Sequence, residues 1–414
     1  MNKLLRMAVA LLAPILLVVA VTQSAAASTP PFTGTSSREM VAPAANTECR
    51  DGEQESGAKF LICRPAGWEA GHDLVVYAHG YMAPDREIEI PMEQMVIDGF
   101  SITETITSLQ FGFATTSYSQ NGLAVLPAIS DLLDVVTIFT EEWGTPNRIY
   151  LVGVSEGGLI TTLSMEQHWD VYDGGLALCG PYGSFQGQVN HFGDFRIVFD
   201  YFFPGLMPGS PLTITAEVVE EWEAGLFTDT IKVEVEATEN MAKVDQLLQV
   251  TGVSPFEYVE ETSTASIRQL LWYNVYATED AKEKLGGQPF DNWDRDYSGS
   301  HDDEALNAAV ERFKADDDVV ITMTQFYQPS GKLGGPLVTL HTTGDEVVPY
   351  WHAAEYARLT REAGRSRLHT HFTVDQHGHC NFEAWDILNA FYALVEMVDS
   401  QYQVFLPVML RGHP

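Results

Sequence analysis

Basic residues are scarce in this chain of 414 residues, where 23 Lys and Arg face 57 Asp and Glu and give a formal net charge of −34 at pH 7. A strongly acidic surface repels the phosphates of nucleic acids and the headgroups of anionic lipids. We therefore expect neither nucleic acid nor, for the mature chain, a membrane as a partner. The charge excludes these classes of partner but does not indicate a reaction.

The chain also lacks the short motifs that hold common cofactors. No Gly-x-Gly-x-x-Gly follows a predicted strand, and there is no Walker A loop and no His-Glu-x-x-His. The acidic stretch 291–304 is rich in carboxylates but lacks the register and the glycine of an EF-hand. We expect a solvated acidic loop there, with adventitious calcium as the alternative. No organic cofactor and no metal are therefore predicted.

Long apolar runs are absent after the N-terminus, so no later stretch is expected to span a membrane. The N-terminus is typical of a secretory signal, with positive residues, an apolar run over 7–21 and a small-residue cleavage site. We expect removal of residues 1–27 and export, with a retained membrane anchor as the alternative. Residues 28–45 are rich in Ser, Thr, Pro and Ala and are predicted to form a flexible leader.

The most informative motif is Gly-Val-Ser-Glu-Gly at 153–157, which follows a predicted strand at 148–152 and precedes a predicted helix at 159–168. A strand that ends in Gly-x-Ser-x-Gly and turns at once into a helix is a nucleophile elbow. The glycines let the turn close, and the helix N-terminus favours negative charge beside the serine hydroxyl. Ser155 is therefore the candidate nucleophile, with an ordinary strand–helix turn as the alternative.

A serine nucleophile needs a histidine to take its proton and a carboxylate to orient that histidine. Asp345 ends a polar turn after an apolar strand predicted at 336–342. His379 lies in the loop between the next predicted strand and a final amphipathic helix. Both groups follow strand ends, and their order along the chain fits an elbow serine. Glu346 and His377 remain alternatives for the acid and the base.

An oxyanion hole needs two backbone N–H groups near the nucleophile. We assign one to Glu156, the residue after the serine, and the other to Tyr81, in the loop after an early strand predicted at 73–78. His79 in the same loop is expected to bond to the backbone, to shape the loop and to border the substrate pocket. The Glu156 carboxylate would disfavour anionic substrates if it pointed into that pocket.

These motifs occur in the order His-Gly-Tyr at 79–81, Gly-Val-Ser-Glu-Gly-Gly at 153–158, Gly-Asp at 344–345 and Gly-His-Cys at 378–380. The chain resembles secreted bacterial serine hydrolases of the α/β-hydrolase superfamily, with esterase-like, lipase-like or prolyl-oligopeptidase-like catalytic domains. The resemblance covers about residues 45–182 and 330–400. It implies an α/β-hydrolase fold with a mostly parallel central sheet flanked by helices. It also assigns the nucleophile, acid and base to Ser155, Asp345 and His379.

The chain contains four cysteines, and export would permit disulfides. Cys49 and Cys63 flank a polar turn in a predicted hairpin, and we expect them to be bonded to each other. Cys179 ends a predicted strand, and Cys380 follows His379, so both are expected at the catalytic rim. A bond between them would hold the base in place, and two buried free thiols are the alternative.

The gap between residue 179 and the strand predicted near residue 336 far exceeds an ordinary crossover. Apolar residues spaced by three to four predict several helices in this gap. We expect a large helical cap over 183–329, inserted before the acid-bearing strand. The catalytic domain would then comprise residues 46–182 and 330–414.

Aromatic side chains are concentrated at the start of this cap. We expect Phe195 and Phe199, together with Trp351 at the strand-end rim, to form an apolar wall of the substrate pocket over Ser155. Packing within the cap is the alternative for the two phenylalanines.

These residues predict a secreted serine carboxylic-ester hydrolase that acts through an acyl-enzyme intermediate. The expected substrates are small-molecule or polymeric esters of aryl, feruloyl-type, short-acyl or polyester-fragment kind. The alternative within the fold is a peptidase, such as an aminopeptidase whose cap carboxylates clamp a substrate ammonium. A non-catalytic binding protein is a more remote alternative, and the oligomeric state is not indicated.

Overall fold

The computed structural model describes residues 47–253 and 260–410. The predicted signal (1–27) and leader (28–45) therefore lie outside the described residues. No helix in the described part of the chain combines the length and the apolar character needed to cross a bilayer.

Strands are present in two sheets. In chain order they are β1 (Thr47–Glu53), β2 (Lys59–Pro65), β3 (Leu74–Ala78), β4 (Val96–Ile97), β5 (Phe100–Ser101), β6 (Gly112–Thr116), β7 (Ile149–Val154), β8 (Gly174–Leu178), β9 (Leu337–Gly344) and β10 (His369–His377).

Helices connect and cover these strands. In chain order they are α1 (Ile102–Ser108), α2 (Val125–Trp143), α3 (Glu156–Gln167), α4 (Phe185–Phe202), α5 (Ala216–Glu223), α6 (Lys232–Val235), α7 (Met241–Thr251), α8 (Glu260–Leu285), α9 (Asp303–Ala309), α10 (Asp317–Thr322), α11 (Trp351–Glu362) and α12 (Ala384–Leu410). Short 3₁₀ segments occur at Met92–Met95, Thr238–Asn240 and Ser366–Leu368, and π-helical turns at Phe227–Ile231 and Met323–Tyr327.

Among the described residues, eight strands form one sheet in the order β1-β2-β6-β3-β7-β8-β9-β10. β2 is antiparallel to both β1 and β6, whereas all the pairs from β6 to β10 are parallel. The helices that link the parallel strands lie against the two faces of the sheet. This mostly parallel sheet with flanking helices confirms the predicted α/β-hydrolase fold.

The central strands are buried along almost their whole length because both faces of the sheet are covered. Every residue of β3, β6 and β8 is buried. One face packs against α2, α3 and α11 through side chains such as Phe139, Leu163 and Tyr356. The other face packs against α1 and α12 through Ile106 and Phe391. The carboxyl ends of these strands are therefore held at one rigid edge.

Between β8 and β9 the chain forms the helices α4 to α10, which have a hydrophobic core of their own. We call residues 183–329 the insertion. Leu247, Leu271 and Phe290 are among the fully or almost fully buried side chains of its core. The observed helices agree with the helical character predicted for this stretch.

Candidate active site

Ser155 lies at the turn between β7 and α3, with φ 58° and ψ −120°. This left-handed backbone is strained for a residue with a side chain and is typical of a nucleophile elbow. A Cβ at Gly153 would lie 2.0 Å from the carbonyl oxygen of Gly157, and a Cβ at Gly157 would lie 2.1 Å from the carbonyl oxygen of Ala78. Both glycines are therefore required for β7, α3 and β3 to approach closely enough to form this turn.

A continuous chain of hydrogen bonds links the three predicted residues. The Oγ of Ser155 lies 2.8 Å from Nε2 of His379. Nδ1 of the same imidazole lies 2.9 Å and 3.0 Å from the two carboxylate oxygens of Asp345. Asp345 directly follows β9 and His379 follows β10, so parallel strands bring both groups to the edge of the sheet where β7 ends at Ser155.

Asp345 is buried, yet its carboxylate is stabilised as an anion. It accepts hydrogen bonds from the backbone N–H groups of Val347 (3.1 Å) and Val348 (2.8 Å). Burial by itself raises the pKa of Asp345, but the positive charge of His379 and the bonds from His341 and His379 outweigh it and hold the pKa well below its usual value. This carboxylate is therefore ionised at neutral pH.

The pKa of His379 is shifted in the opposite direction, upward. Burial by itself lowers the pKa of its imidazole, but the adjacent Asp345 carboxylate, by charge and by hydrogen bond, raises the pKa above the usual value. A histidine that shares a hydrogen bond with a carboxylate at Nδ1 presents Nε2 to the serine proton.

The two alternatives for the acid and the base lie outside this chain of hydrogen bonds. His377 contacts the side chain of Ser266 at 3.5 Å. Glu346 is buried, and one of its carboxyl oxygens has no partner among the described residues. Burial, with the Asp345 charge, raises the pKa of Glu346 to about 7. The geometry therefore favours His379 as the base and Asp345 as the residue that orients it.

Both predicted disulfides are present. Cys49 and Cys63 face each other across the β1–β2 hairpin, and Cys179, just after β8, is bonded to Cys380. Cys380 directly follows His379, so the second bond attaches the loop that carries the base to the end of β8. Cys179, His379 and Cys380 lie close enough to share a metal ion, but a disulfide has no thiolate to offer as a ligand.

The loop after β3 runs directly against Ser155. A Cβ on Gly80 would lie 3.1 Å from Cβ of Ser155, and the N–H of Gly80 donates to the Gln94 side chain at 2.7 Å. Tyr81, the next residue, lines the cavity beside Ser155. Glu156 is the first residue of α3, and the first four N–H groups of a helix have no acceptor within it. Tyr81 and Glu156 both line the cavity together with Ser155, and their assignment as oxyanion donors stays a prediction.

His79 holds this loop and does not line the cavity, so its inclusion among the pocket residues is wrong. Its ring stacks on Tyr118 with 3.9 Å between the ring centres, and Nδ1 bonds to the carbonyl of Gly80 at 2.7 Å. Burial lowers the pKa of His79 to about 4, which keeps it neutral. The expected loop-shaping role fits this position.

A cavity opens beside Ser155. Its walls are mainly apolar and come from both sides of the site. Leu123, Leu159 and Val348 contribute from the sheet and its helices, and Phe185 and Phe192 contribute from the insertion. An apolar cavity with a few polar groups is typical of a small-molecule site.

The predicted pocket wall is wrong in its details. Phe195 and Phe199 are fully buried in the core of the insertion and do not face the cavity. Trp351 is 41% exposed, stacks on His352 and also lies outside the cavity wall.

The apolar side chains of α4 have different destinations along the helix. Phe185, Val189 and Phe192 line the cavity. Phe195 and Phe199, further along the helix, are buried in the core of the insertion instead. All five follow the same spacing of three or four residues, so the periodicity of the sequence does not separate the two sets.

The Glu156 side chain is only 8% exposed and borders the cavity. One carboxyl oxygen accepts the N–H of Ala124 at 3.0 Å, and the other has no partner among the described residues. Burial is the main cause that raises the pKa of Glu156 to about 8, against the lowering effects of Ala124 and Lys284. The carboxyl group therefore holds a proton at neutral pH, and no full negative charge is placed beside the nucleophile.

Sequence reasoning missed two residues of the cavity wall that come from α8. Tyr273 and Asp280 both line the cavity. They lie more than a hundred residues after Ser155, on a helix whose orientation depends on how the insertion packs. The acidic composition of the insertion was a general signal for Asp280, whereas nothing local marked Tyr273.

No protein-family model and no curated protein matches the chain. Among solved structures it is similar to the esterase Pf2001 of Pyrococcus furiosus, with 10% identity and a TM-score of 0.43 over 86% of this chain and 90% of that one. It is also similar to Est1E from Butyrivibrio proteoclasticus, with 12% identity and a TM-score of 0.39 over 85% and 99% of the two chains.

A third similar structure is the uncomplexed acylaminoacyl peptidase of Pyrococcus horikoshii, with 10% identity and a TM-score of 0.41 over 81% of this chain. The chain spans only 38% of the length of that peptidase. Likenesses this weak do not decide an activity, and the fold assigned above rests on the strand order of the sheet itself.

Proposed function

We propose that this protein is a serine hydrolase that cleaves carboxylic esters through an acyl-enzyme intermediate. The observation that carries the proposal is the unbroken chain of hydrogen bonds from Ser155 through His379 to Asp345. It lies at the strand-end edge of the sheet and opens into a mainly apolar cavity.

In the first half of the reaction, Ser155 attacks the ester carbonyl carbon. Its proton passes to Nε2 of His379 as the new carbon–oxygen bond forms, and the Asp345 carboxylate stabilises the resulting imidazolium. The carbonyl oxygen becomes negatively charged and receives hydrogen bonds from the N–H groups of Tyr81 and Glu156. His379 then gives its proton to the departing alcohol, which leaves the acyl group on Ser155.

In the second half, His379 takes a proton from water, and the resulting hydroxide attacks the acyl carbon. The same oxyanion donors stabilise the second tetrahedral intermediate. Its collapse releases the acid, and the proton on His379 returns to Ser155.

The character of the cavity supports an ester of a neutral, apolar acyl or aryl group. An aminopeptidase would need an unpaired carboxylate to hold a substrate ammonium. Asp280 accepts the N–H of Leu123 at 2.6 Å and pairs with Lys284 at 2.6 Å. Glu156 holds a proton near neutral pH because of its burial. Both carboxyl groups are thus engaged or neutral, which favours the esterase over the peptidase.

The lining of the cavity bears on the kind of substrate. Its mainly apolar walls suit the acyl or aryl part of aryl, feruloyl-type and short-acyl esters. The insertion contributes part of the wall, so a polymer would have to present a single chain end or a released fragment. We propose the insertion (183–329) as a cap on a catalytic domain formed by 46–182 and 330–414.

Export is part of the proposal. Two disulfides are formed in the described part of the chain, and disulfides persist in oxidising compartments. The N-terminal residues predict a secretory signal. The acidic composition, with a net charge of −34, would keep the protein apart from nucleic acids and anionic membranes.

The test is turnover of p-nitrophenyl acyl esters against aminoacyl p-nitroanilides by the wild type, Ser155→Ala and Ser164→Ala. Ser164 is a matched control because it is buried on the same helix and its hydroxyl has no partner among the described residues. We expect ester turnover that disappears in Ser155→Ala and persists in Ser164→Ala. Anilide turnover with little ester turnover would contradict the esterase assignment, and ester turnover retained by Ser155→Ala would contradict the mechanism.

A further inference from the structure

Tyr273 brings a phenol from the insertion into the cavity of the proposed reaction centre. It lines this cavity together with Ser155, Tyr81 and Glu156. The Ser155 side chain is close enough to influence the pKa of the phenol. The cavity wall opposite the sheet therefore carries a polar group that the mechanism above does not use.

The ring of Tyr273 is fixed by other aromatic rings. It stacks on Phe192 with 4.7 Å between the ring centres and an angle of 6° between the planes. Trp272 contacts it edge-on at 5.0 Å, and Tyr81 lies tilted at 5.7 Å. Packing on several sides restricts rotation of the side chain, so the phenol keeps its position in the cavity wall.

The helix that carries Tyr273 is itself anchored to the loops of the catalytic side. One helical turn after Tyr273, the backbone carbonyl of Tyr276 accepts the hydroxyl of Tyr81 at 3.3 Å. Two turns after Tyr273, Asp280 accepts the N–H of Leu123 at 2.6 Å. A donor held in place before the reaction starts needs no reorganisation when charge develops.

The phenol is also kept in its protonated form. Burial is the largest cause that raises the pKa of Tyr273, and the nearby Asp345 and Glu156 carboxyl groups raise it further, against a smaller lowering effect of Ser155. The hydroxyl can therefore donate a hydrogen bond throughout the pH range in which His379 acts as a base.

We propose that Tyr273 is a third hydrogen-bond donor to the oxyanion formed when Ser155 attacks the substrate, so that the insertion completes the catalytic site. This inference rests on the function proposed above. The carbonyl electron pair moves onto the acyl oxygen, the serine proton goes to His379, and the phenol of Tyr273 donates a hydrogen bond to the acyl oxygen while it keeps its own proton. When the intermediate collapses, the hydrogen bond weakens and the phenol is unchanged.

The experiment compares Tyr273→Phe with Tyr276→Phe, which removes a hydroxyl from the same helix. The hydroxyl of Tyr276 donates to Glu223 at 3.4 Å in an exposed contact. Three quantities are measured on p-nitrophenyl butyrate and on a trifluoromethyl ketone that forms a tetrahedral adduct with serine: the acylation rate, KM and the inhibition constant. Thermal unfolding of each variant checks that the fold is retained.

We expect Tyr273→Phe to slow acylation by about 100-fold, in line with the loss of one oxyanion donor. KM should stay within about twofold, because the contact strengthens only in the transition state. The affinity for the ketone should fall in parallel with the rate, and Tyr276→Phe should resemble the wild type in all three quantities.

Two results would overturn the inference while leaving the proposed function intact. Tyr273→Phe could match Tyr276→Phe in acylation and in ketone affinity. Alternatively, its acylation could slow while ketone affinity stays unchanged, which would indicate positioning of Ser155 in the resting enzyme. A failure of the function itself is recognised separately, because Ser155→Ala would then retain turnover.

Discussion

Cys179 and Cys380 are joined by a disulfide that ties the residue after His379 to the end of β8, next to the strand that leads into Ser155. The base and the nucleophile come from segments more than 200 residues apart in the chain, with a sequence separation of 201 between the two cysteines. The bond therefore fixes the distance over which the serine proton moves.

Loss of this disulfide should impair catalysis as well as stability. We expect the double variant Cys179→Ser/Cys380→Ser to lose about 5 kcal/mol of unfolding free energy on a loop-entropy estimate. It should also lose about 10- to 100-fold in kcat, since small displacements of a catalytic group are costly. Chemical denaturation and steady-state kinetics measure the two effects.

The other disulfide provides a matched control. Cys49→Ser/Cys63→Ser opens a short loop in an edge hairpin, with a sequence separation of 14, and should cost about 3 kcal/mol with kcat unchanged. Equal effects of the two double variants on kcat would show that the Cys179–Cys380 bond has no specific link to the base.

The pH profile of kcat/KM should report His379. The neutral imidazole is the active base, and the Asp345 carboxylate raises its pKa. The acidic limb of the profile should therefore have its midpoint above about 6.5, the ordinary value for histidine. Activity is lost as the pH falls through that midpoint.

Asp345→Asn should move this limb to lower pH and reduce kcat by roughly 10⁴-fold, since the carboxylate that raises the pKa of His379 and fixes its tautomer is gone. Glu346→Gln is the matched control because its carboxyl is adjacent in sequence and bonds to the backbone of His379, whereas the imidazole bonds to Asp345. Gln keeps an oxygen for the backbone bond. A large loss of kcat in Glu346→Gln, with Asp345→Asn still active, would show that Glu346, and not Asp345, orients the base.

Two phenylalanines of α4, one in the cavity wall and one in the core of the insertion, should separate substrate binding from stability. Phe192→Ala removes part of the cavity wall, so KM for p-nitrophenyl esters of longer or aromatic acids should rise by about tenfold or more. Phe199→Ala leaves a void in the core of the insertion and should cost about 3–5 kcal/mol of stability. KM should remain near the wild-type value in Phe199→Ala, and the reverse pattern would contradict the placement of α4.

Glu156 should make the protein less stable as the pH rises. Its pKa is about 8 in the folded state and near 4.5 when exposed, so between these values the folded state holds a proton that the unfolded state has released. The free energy of unfolding should therefore fall from pH 5 to pH 8, by up to about 1.4 kcal/mol per pH unit from this group.

The pKa values of Glu346 and Asp194 are raised as well, so these two groups also lower the free energy of unfolding as the pH rises. The contribution of Glu156 is therefore measured by comparing a Glu156 variant with the wild type. Glu156→Gln keeps a side-chain oxygen for the N–H of Ala124 and removes the titration. Denaturation curves should show a shallower pH dependence in Glu156→Gln than in the wild type. Identical slopes would mean that Glu156 is ionised in the folded protein.

The sequence predicts the sheet edge better than the cavity. An apolar run that predicts a strand precedes each of Ser155, Asp345 and His379. Because parallel strands end at one edge of a sheet, the proximity of these three residues could be inferred from local patterns. The choice between His379 and His377 could not, because the sequence places both in one loop. In the structure His377 is the last residue of β10, and the chain turns at Gly378, with φ 104°, before it reaches His379.

The cavity depends on how the insertion docks, which no local pattern encodes. Phe192 and Phe195 are three residues apart on one helix, yet one lines the cavity and the other lies in the core of the insertion. Tyr273 enters the cavity from a helix whose position is set by contacts with the loops that carry Tyr81 and Leu123. Such contacts between segments far apart in sequence become visible only in three dimensions.

The most direct test of the central claim is covalent labelling with a fluorophosphonate, followed by mass spectrometry of the peptides. We predict one adduct, on Ser155, that forms in the wild type, is absent in Ser155→Ala and is greatly slowed in His379→Gln. Labelling that falls on another residue, or that proceeds at the same rate without His379, would contradict a nucleophile activated by the hydrogen bonds from Ser155 through His379 to Asp345.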